Sequence, residues 1–326
     1  MWFEKLTGFR EESPDQVRNH LVLEGTRITS TVNGRSMEAG VLDIPTLSEL
    51  RSLLSDESSG RELLTVEEIV ADASELHTAK EAEGALFQVA SQFNLLEMVS
   101  PSVSPEYGID GYADDLTQGP ACAIAAGAGT IFRNYFASVN GQIGQSLHNQ
   151  IDCLQDIGSS LGNDNNRLWV MKNGYALPTV EGLQEINERL RYMELDDRTA
   201  LRGSLRIGLQ QNTEVTLNDS EKLVTQAYCS ALPVSYSTHP VALWRDFACL
   251  ILDGAYEATL AAAVVNAANT GNRRVFLTLL GGGAFGNAED WILSSLNRAL
   301  NLFRYYPIDV KVVSYGAPNP RLREFL

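Results

Sequence analysis

Near its C-terminus the chain reads "RRVFLTLLGGGAFGNAEDWILSSLNRAL", and Gly281, Gly283 and Gly286 satisfy the spacing G-x-G-x-x-G. Successive glycines let a backbone approach phosphate oxygens, and consecutive N–H groups in such a loop form an anion-binding nest. Three readings are open. A dinucleotide fingerprint suits the strand before and the helix after. It should open its domain, however, and the acidic residue expected about 20 residues further on is missing. There "VKVVSYG" ends in Ser314, Tyr315 and Gly316. A diphosphate cradle of another kind would use Gly281, Gly282, Gly283, Ala284, Phe285 and Gly286, with Asn287 capping the next helix. The positive end of that helix would face the anion, partly opposed by Glu289 and Asp290 in its first turn. The third reading is a tight turn that only packs closely. No G-K-[ST] follows, which excludes a P-loop.

A second set of reactive residues lies in "VSPSVSPEYGIDGYADDLTQGP", which carries Asp110, Asp114 and Asp115. This stretch is too long for a simple connector, and loops of such length are functional or disordered. Its aspartates are either a solvated acidic loop or carboxylates aimed at a site. Glu97, in "NLLEM", is another candidate carboxylate, although as an isolated charge it reads more readily as a surface or helix-capping residue; Glu257, in "AYEATL", is either buried and paired or ligand-facing. His20, His77, His148 and His239 show no metal spacing, and there is no G-x-S-x-G. No metal requirement and no cofactor are expected, although clustered aspartates can take magnesium. Cys122, Cys153, Cys229 and Cys249 are scattered, as suits buried thiols in a reducing compartment.

The elements that must position these residues are legible in outline. "LVLEGTRITSTVNGRSMEAGVL" alternates around Asn33-Gly34, a type I′ hairpin signal. Thr46 with Glu49 and Thr65 with Glu68 fit capping boxes, the second opening an amphipathic helix "VEEIVADASELHTA". "GALFQVASQFNLLEM" is a β-rich run ending in Asn94, and "ACAIAAGAGTIFRNYFA" a small-residue helix. Residues 163–240 read as antiparallel β with one polar helix, "VEGLQEINERLRYM", and a second Asn-Gly turn at Asn173-Gly174. "WRDFACLILDGAYEATLAAAVVNAAN" is a long buried helix, followed by strand, glycine loop, helix and the strand "DVKVVSYG". That tail is α/β with parallel strands, where ligands sit beyond the carboxyl ends.

Composition limits the function. The chain has 326 residues, 44% of them apolar, and a formal net charge of −16. No basic stripe offers itself to nucleic acid. No stretch approaches the roughly 20 apolar residues of a bilayer span, and the N-terminus lacks a signal-type h-region. The expectation is a cytoplasmic protein without membrane or nucleic-acid partners. An anionic ligand would have to be held locally, by backbone N–H groups.

"LGGGAFGN" resembles the phosphate-binding loop of macrodomains, above all the poly(ADP-ribose) glycohydrolase branch, and "LFQVASQFN" resembles that branch's strand ending in a functional asparagine. Together "FQVASQFNLLEM", "DLTQGPACAI", "AYEATL" and "FLTLLGGGAFGN" look more specifically like the MavL-like macrodomain family of mono-ADP-ribosyl hydrolases selective for modified arginine. The resemblance implies a macrodomain-like three-layer α/β/α sandwich as one domain over 1–326. Its parts would be an N-terminal hairpin and helices at 1–79, core motifs at 80–140 and 240–326, and a β-rich insertion at 163–240. ADP-ribose and ADP-ribosylated protein would be the partners, with Asn94 near the distal ribose and Gln118 hydrogen-bonding either the ligand or the loop backbone. "VVNAAN" at 264–269 spells a macrodomain signature, but it continues an alanine-rich pattern and reads as a helix terminus.

The chain departs from the glycohydrolase branch at Thr117, Gln118, Gly119 and Pro120, where that branch carries paired glutamates. The acids left to act are Asp115 first, then Asp114 and Asp110. Splitting ADP-ribose from arginine passes through an oxocarbenium-like state, so one carboxylate can orient water while another pairs with the guanidinium. The expected activity is hydrolysis of mono-ADP-ribosyl-arginine; the alternative is a reader that binds ADP-ribose without turnover.

Overall fold

The apolar runs assemble into one seven-stranded sheet. The computed structural model describes residues 1–54 and 63–325. Its strands are Val41–Asp43 (β1), Thr65–Val70 (β2), Leu86–Ala90 (β3), Gly208–Glu214 (β4), Leu223–Cys229 (β5), Arg274–Leu277 (β6) and Asp309–Ser314 (β7). They lie in the order β1-β4-β5-β3-β6-β7-β2. From β5 to β2 all neighbours are parallel, whereas β4 is antiparallel to both β5 and β1. The central strand β3 is closed on both faces, which is why "LFQV" is a continuous run with no polar-out alternation.

Helices cover both faces, giving the three-layer α/β/α arrangement expected. On one face lies the helix Val241–Thr270, with Trp244, Phe247, Ile251 and Leu260 fully buried, flanked by the helix Glu289–Phe303. Gln88 points to this side and donates to Thr259 Oγ1 at 3.0 Å. Its neighbour Phe87 points to the other face, as the pleat requires. There it stacks on Phe276 at 4.4 Å and on His77 at 3.7 Å between ring centroids. His77 belongs to the helix Ala73–Thr78, and the helices Gln118–Ala125 and Gly127–Tyr135 complete that layer. The N-terminal helices and strands pack a satellite core of Phe3, Leu21, Ile28 and Met37 against Tyr112, Ile131 and Tyr135.

Several expectations change. Thr65 and Glu68 do not open a helix. Thr65, Val66, Ile69 and Val70 are β-branched and pair in parallel with β7, and Glu68 accepts the Ser314 hydroxyl at 2.7 Å. The helix begins only at Ala73, capped by Asp72, whose Oδ1 takes the Ser74 N–H at 2.8 Å. Thr46 and Glu49 do form a full capping box. Asn33-Gly34 lies in a longer hairpin loop in which only Gly34 has positive φ, while the tight turn of that region is at Gly25-Thr26. Asn173-Gly174 meets the type I′ requirement, with φ of 47° and 79°. The small-residue helix is broken at Ala126. Within 163–240, β4 and β5 join the central sheet; only the hairpin Trp169–Lys172/Tyr175–Pro178 and the helices Val180–Tyr192 and Leu195–Gly203 lie outside it.

The helix Val241–Thr270 also corrects the hydropathy reading. By length and composition it is apolar enough to span a bilayer, with a mean hydropathy of 1.6 in its most apolar window. Of that window 78% is buried inside the fold, so the apolar surface is used against the sheet. "VVNAAN" ends this helix, and Asn266 bonds Thr225 and the Gly84 carbonyl, at the amino ends of the strands. Glu257, on the same helix, is a structural ion-pair centre. It accepts from Arg51 Nε at 2.6 Å and Arg298 Nη1 at 2.8 Å. Burial pushes its carboxyl up, but the two guanidinium groups outweigh that and hold it below the ordinary range.

Candidate active site

The parallel strands β3 and β6 pair only at Leu86–Phe87 with Val275–Phe276, then diverge. Beyond that point the free polar edge of β3 is met by one side chain. Gln118 Oε1 accepts the Ala90 N–H at 3.0 Å and Gln118 Nε2 donates to the Gln88 carbonyl at 2.9 Å. The carboxamide thus stands in for a missing strand and lets the sheet open into a cleft at its carboxyl ends. Gly119 follows because nothing larger fits: a Cβ there would lie 2.2 Å from the Ala90 carbonyl oxygen and 2.5 Å from Glu97 Oε2.

One wall of the cleft is the glycine loop after β6. Gly281 and Gly286 have φ of +77° and +68°, conformations natural only to glycine. The loop is closed by Gly282 N–H to Leu279 at 3.1 Å, Gly286 N–H to Gly283 at 3.0 Å and Asn287 N–H to Gly281 at 2.9 Å. This leaves the N–H groups of Gly281, Gly283, Ala284 and Phe285 without a protein acceptor among the described residues, and all four residues line the cleft. Adjacent unpaired donors of this kind attract an anion.

Asn287 does not cap the next helix. The N-cap is Ala288, without a side-chain bond, and Asn287 Nδ2 instead donates to the Leu232 carbonyl at 2.8 Å, tying the glycine loop to the segment after β5. The same segment locks the loop through Ser235, whose N–H reaches the Phe285 carbonyl at 3.0 Å and whose hydroxyl fills the space a Cβ on Gly286 would need. Phe285 packs with Tyr175 and Tyr236, ring centroids 5.4 and 5.6 Å away, as an aromatic floor. Glu289 and Asp290, which would oppose an anion, both pair with Arg321, which offsets one of their two charges.

The opposite wall carries two carboxyl groups, Glu97 and Asp115. Glu97 is 5% exposed, its N–H donates to Tyr112 Oη at 2.9 Å, and its Oε1 is buried without a partner. Burial drives its carboxyl well above the ordinary range; Arg133 opposes this and Asp115 adds to it. Arg133 does not neutralise Glu97 directly, because its donors go to the Leu95 carbonyl at 3.1 Å and Thr130 Oγ1 at 3.0 Å, and its guanidinium lies 3.6 Å over the Tyr228 ring. Asp115 is half-buried and folds onto its own loop, Oδ1 accepting the Thr117 N–H at 2.9 Å. The cleft therefore sets a buried carboxyl, pushed up by its burial, beside a half-buried one on the neighbouring loop.

Among the expected site residues, Asp115, Gln118, Gly281, Gly283, Ala284 and Phe285 line this cleft of about 140 Å³. Gly282, Gly286 and Asn287 shape the loop without lining the cleft. Asn94 is elsewhere: it is fully buried, its Oδ1 takes the Leu96 N–H at 3.1 Å and its Nδ2 donates to Gln150 at 2.9 Å. Its side chain is consumed in holding the turn after β3. Asp114 is exposed and lines no cleft, and Asp110 accepts the Phe3 N–H at 3.2 Å, anchoring the N-terminal helix. Glu97, a candidate carboxylate that read more readily as a surface charge, is buried and lines the cleft. The only sequence signal was its position inside "FNLLEMV", an apolar run where a lone acid must be buried or turned outward. Tyr175 and Tyr236 had no signal. Among the described residues no group of three or more His, Cys, Asp or Glu can hold a metal ion.

A second cavity of about 510 Å³ adjoins the first through Thr117, Gln118, Thr278, Leu279 and Gly283 and runs past Asp72, Ser314 and Tyr315, over the carboxyl ends of β7 and β2.

No protein-family model matches the chain, and no curated protein shows significant similarity to it. Among solved structures, it is similar to poly(ADP-ribose) glycohydrolase from Thermomonospora curvata bound to the inhibitor ADP-HPD, at 15% identity over 96% of each chain and a TM-score of 0.42. It is also similar to poly(ADP-ribose) glycohydrolase from Deinococcus radiodurans in complex with ADP-ribose, at 10% identity over 87% of this chain and 91% of that one, with a TM-score of 0.43. Likeness at this level carries no statement about substrate or residue roles; those have to come from the chemistry of the cleft.

Proposed function

We propose that the cleft binds ADP-ribose and hydrolyses the N-glycosidic bond of mono-ADP-ribosylated arginine on proteins. The observation that carries this reading is the meeting of four unpaired backbone N–H groups with two carboxyl groups in unlike environments. The loop of Gly281, Gly283, Ala284 and Phe285 takes the diphosphate. The adjoining cavity past Ser314 and Tyr315 takes the nucleoside, and the distal ribose reaches Glu97 and Asp115.

A guanidinium supplies what Glu97 lacks. The Glu97 carboxyl, which lines the cleft, accepts an N–H of the modified arginine, whose charge draws the carboxyl into its ionised form. The modified guanidinium already carries the proton its leaving group needs, so C–N cleavage releases a neutral guanidine and an oxocarbenium-like ribose. Asp115 orients the attacking water; the proton that water loses ends on the departing guanidine. Arginine is favoured over smaller adducts because only a guanidinium offers a planar fork of donors.

One observation favours a second reading. Burial pushes the Glu97 carboxyl up, and an acid shifted that way suits an O-linked ribose, whose alkoxide leaving group must be protonated. Peptides bearing ADP-ribose on arginine or on serine, incubated with the protein and resolved by mass spectrometry, separate the two. Release from arginine alone supports the first reading and release from serine alone replaces it with the second. Binding of ADP-ribose without release from either makes the protein a reader.

A further inference from the structure

The strand ends and the glycine loop do not explain how the two acids are held. They stand on a segment without regular hydrogen bonding, and its support comes from the far end of the chain. Glu11, between the helices Trp2–Thr7 and Pro14–His20, reaches into the loop before Asp115. Its Oε2 accepts the N–H groups of Ile109 at 2.8 Å and Asp110 at 2.7 Å, and its Oε1 accepts a hydrogen bond from the Tyr135 hydroxyl. Gly108, with φ +87°, makes room for it: a Cβ there would sit 2.3 Å from Glu11 Oε2. The contact is reciprocated by Trp2 Nε1, which donates to the Ile109 carbonyl at 3.3 Å.

These two N–H groups start the 3₁₀ turn Asp110–Asp114. The turn has two outputs. Tyr112, buried within it, presents the hydroxyl that accepts the Glu97 N–H. The residue closing it is Asp115, whose own N–H returns to the Tyr112 carbonyl at 3.2 Å. One short turn thus sets the backbone at both carboxyl groups, and one carboxylate on the N-terminal segment holds the start of that turn.

We propose that Glu11 is a positioning residue for the acid pair: through the 109–115 turn it holds Glu97 and Asp115 in their mutual geometry, without itself touching the ligand. This rests on the reading of the cleft as a glycohydrolase site, and two measurements keep the two ideas apart. Turnover of ADP-ribosylated peptide by the wild type tests the reading. The inference is tested by titrating Glu97 through its ¹³C-labelled side-chain carboxyl in wild type, Glu11→Ala, Glu11→Gln and Tyr112→Phe, a readout that needs no turnover.

With the turn released, water reaches Glu97. Its titration midpoint is expected to fall by about one unit or more toward the ordinary carboxylate value in Glu11→Ala and Tyr112→Phe. Glu11→Gln keeps an oxygen for the two N–H groups and should stay near wild type. In the same variants kcat falls by about 10- to 100-fold while the Kd for ADP-ribose stays within about twofold, as misplacement of reacting groups predicts. Tyr112→Phe preserves the ring packing, so it decides the matter if Glu11→Ala fails to fold. A Glu97 midpoint unchanged in the folded variants overturns the proposal, as does a loss of ADP-ribose affinity in parallel with kcat.

Discussion

Gly281→Ala is the sharpest probe of the phosphate-binding role assigned to the loop. An L-residue in the left-handed region costs about 1–2 kcal/mol. A Cβ at Gly281 would also lie 2.5 Å from Ala231 Cβ and 2.8 Å from Asn287 Nδ2, so the loop must move. Overlap of that kind adds about 1–3 kcal/mol. Gly271, which ends the helix Val241–Thr270, has the same φ of +77° but nothing within 4 Å of its Cβ, and it lines neither cavity of the proposed site. Gly271→Ala therefore carries the backbone strain without the displacement. In urea denaturation Gly281→Ala should lose about 2–5 kcal/mol and Gly271→Ala about 1–2 kcal/mol. Isothermal titration with ADP-ribose separates them further. Losing one charge-assisted hydrogen bond to the diphosphate is worth about 1.5–3 kcal/mol, or about 10- to 150-fold in Kd. That loss is expected for Gly281→Ala alone. Equal affinities in the two variants would refute the assignment of the diphosphate to this loop.

Glu97→Gln and Asp115→Asn should each reduce release of ADP-ribose by at least about 100-fold while ADP-ribose still binds; Asp114→Asn, on the outer surface, should turn over like wild type. The raised carboxyl of Glu97 has a signed consequence for stability. The unfolded chain ionises this group near 4.5, whereas the fold keeps it protonated to higher pH. The neutral acid is therefore tolerated below about 4.5, and stability is lost as pH rises through the folded value. Glu97→Gln should gain on wild type in urea midpoints between pH 5 and 8, and a gap that does not grow with pH would contradict this. His77 behaves in the opposite sense. Burial holds its imidazole down at about 4 against an ordinary 6.5, so its contribution is complete above 6.5 and is lost as pH falls toward 4. The difference is worth about 3 kcal/mol, and replacing His77 by Gln should flatten that part of the acid-unfolding profile.

The parts of the fold that were legible share one property: their local pattern and their tertiary role agree. The run Arg274–Leu277, the glycines after it and the amphipathic helix Glu289–Phe303 each follow from residues adjacent in sequence. The capping box at Thr46 and the turn at Asn173-Gly174 are likewise complete within a few residues. Thr65–Val70 failed because its capping-box letters sit in a run rich in β-branched residues, and only the edge of β7 decides between helix and strand. Strands β4 and β5 read as part of an insertion because antiparallel pairing to each other hides the parallel pairing of β5 to β3.

By itself the sequence determined that a glycine turn follows a buried strand, because glycine reaches φ of +77° and +68° at such positions without strain. It also determined that acids cluster in a long irregular loop. It did not determine which acids matter. Asp110, Asp114 and Asp115 look alike in a string, yet one anchors the N-terminal helix, one faces water and one lines the cleft. Asn94, which holds a turn, and Glu97, which lines the cleft, could not be told apart for the same reason. The direction of a side chain after a strand is set by the turn it enters, and that turn is held by Gln150, Gly174 and Tyr112, residues far away in the chain. Hydrogen bonding of the backbone is local and can be read along the chain; burial, and with it the protonation of Glu97, is a property of everything packed around the group and exists only in the folded molecule.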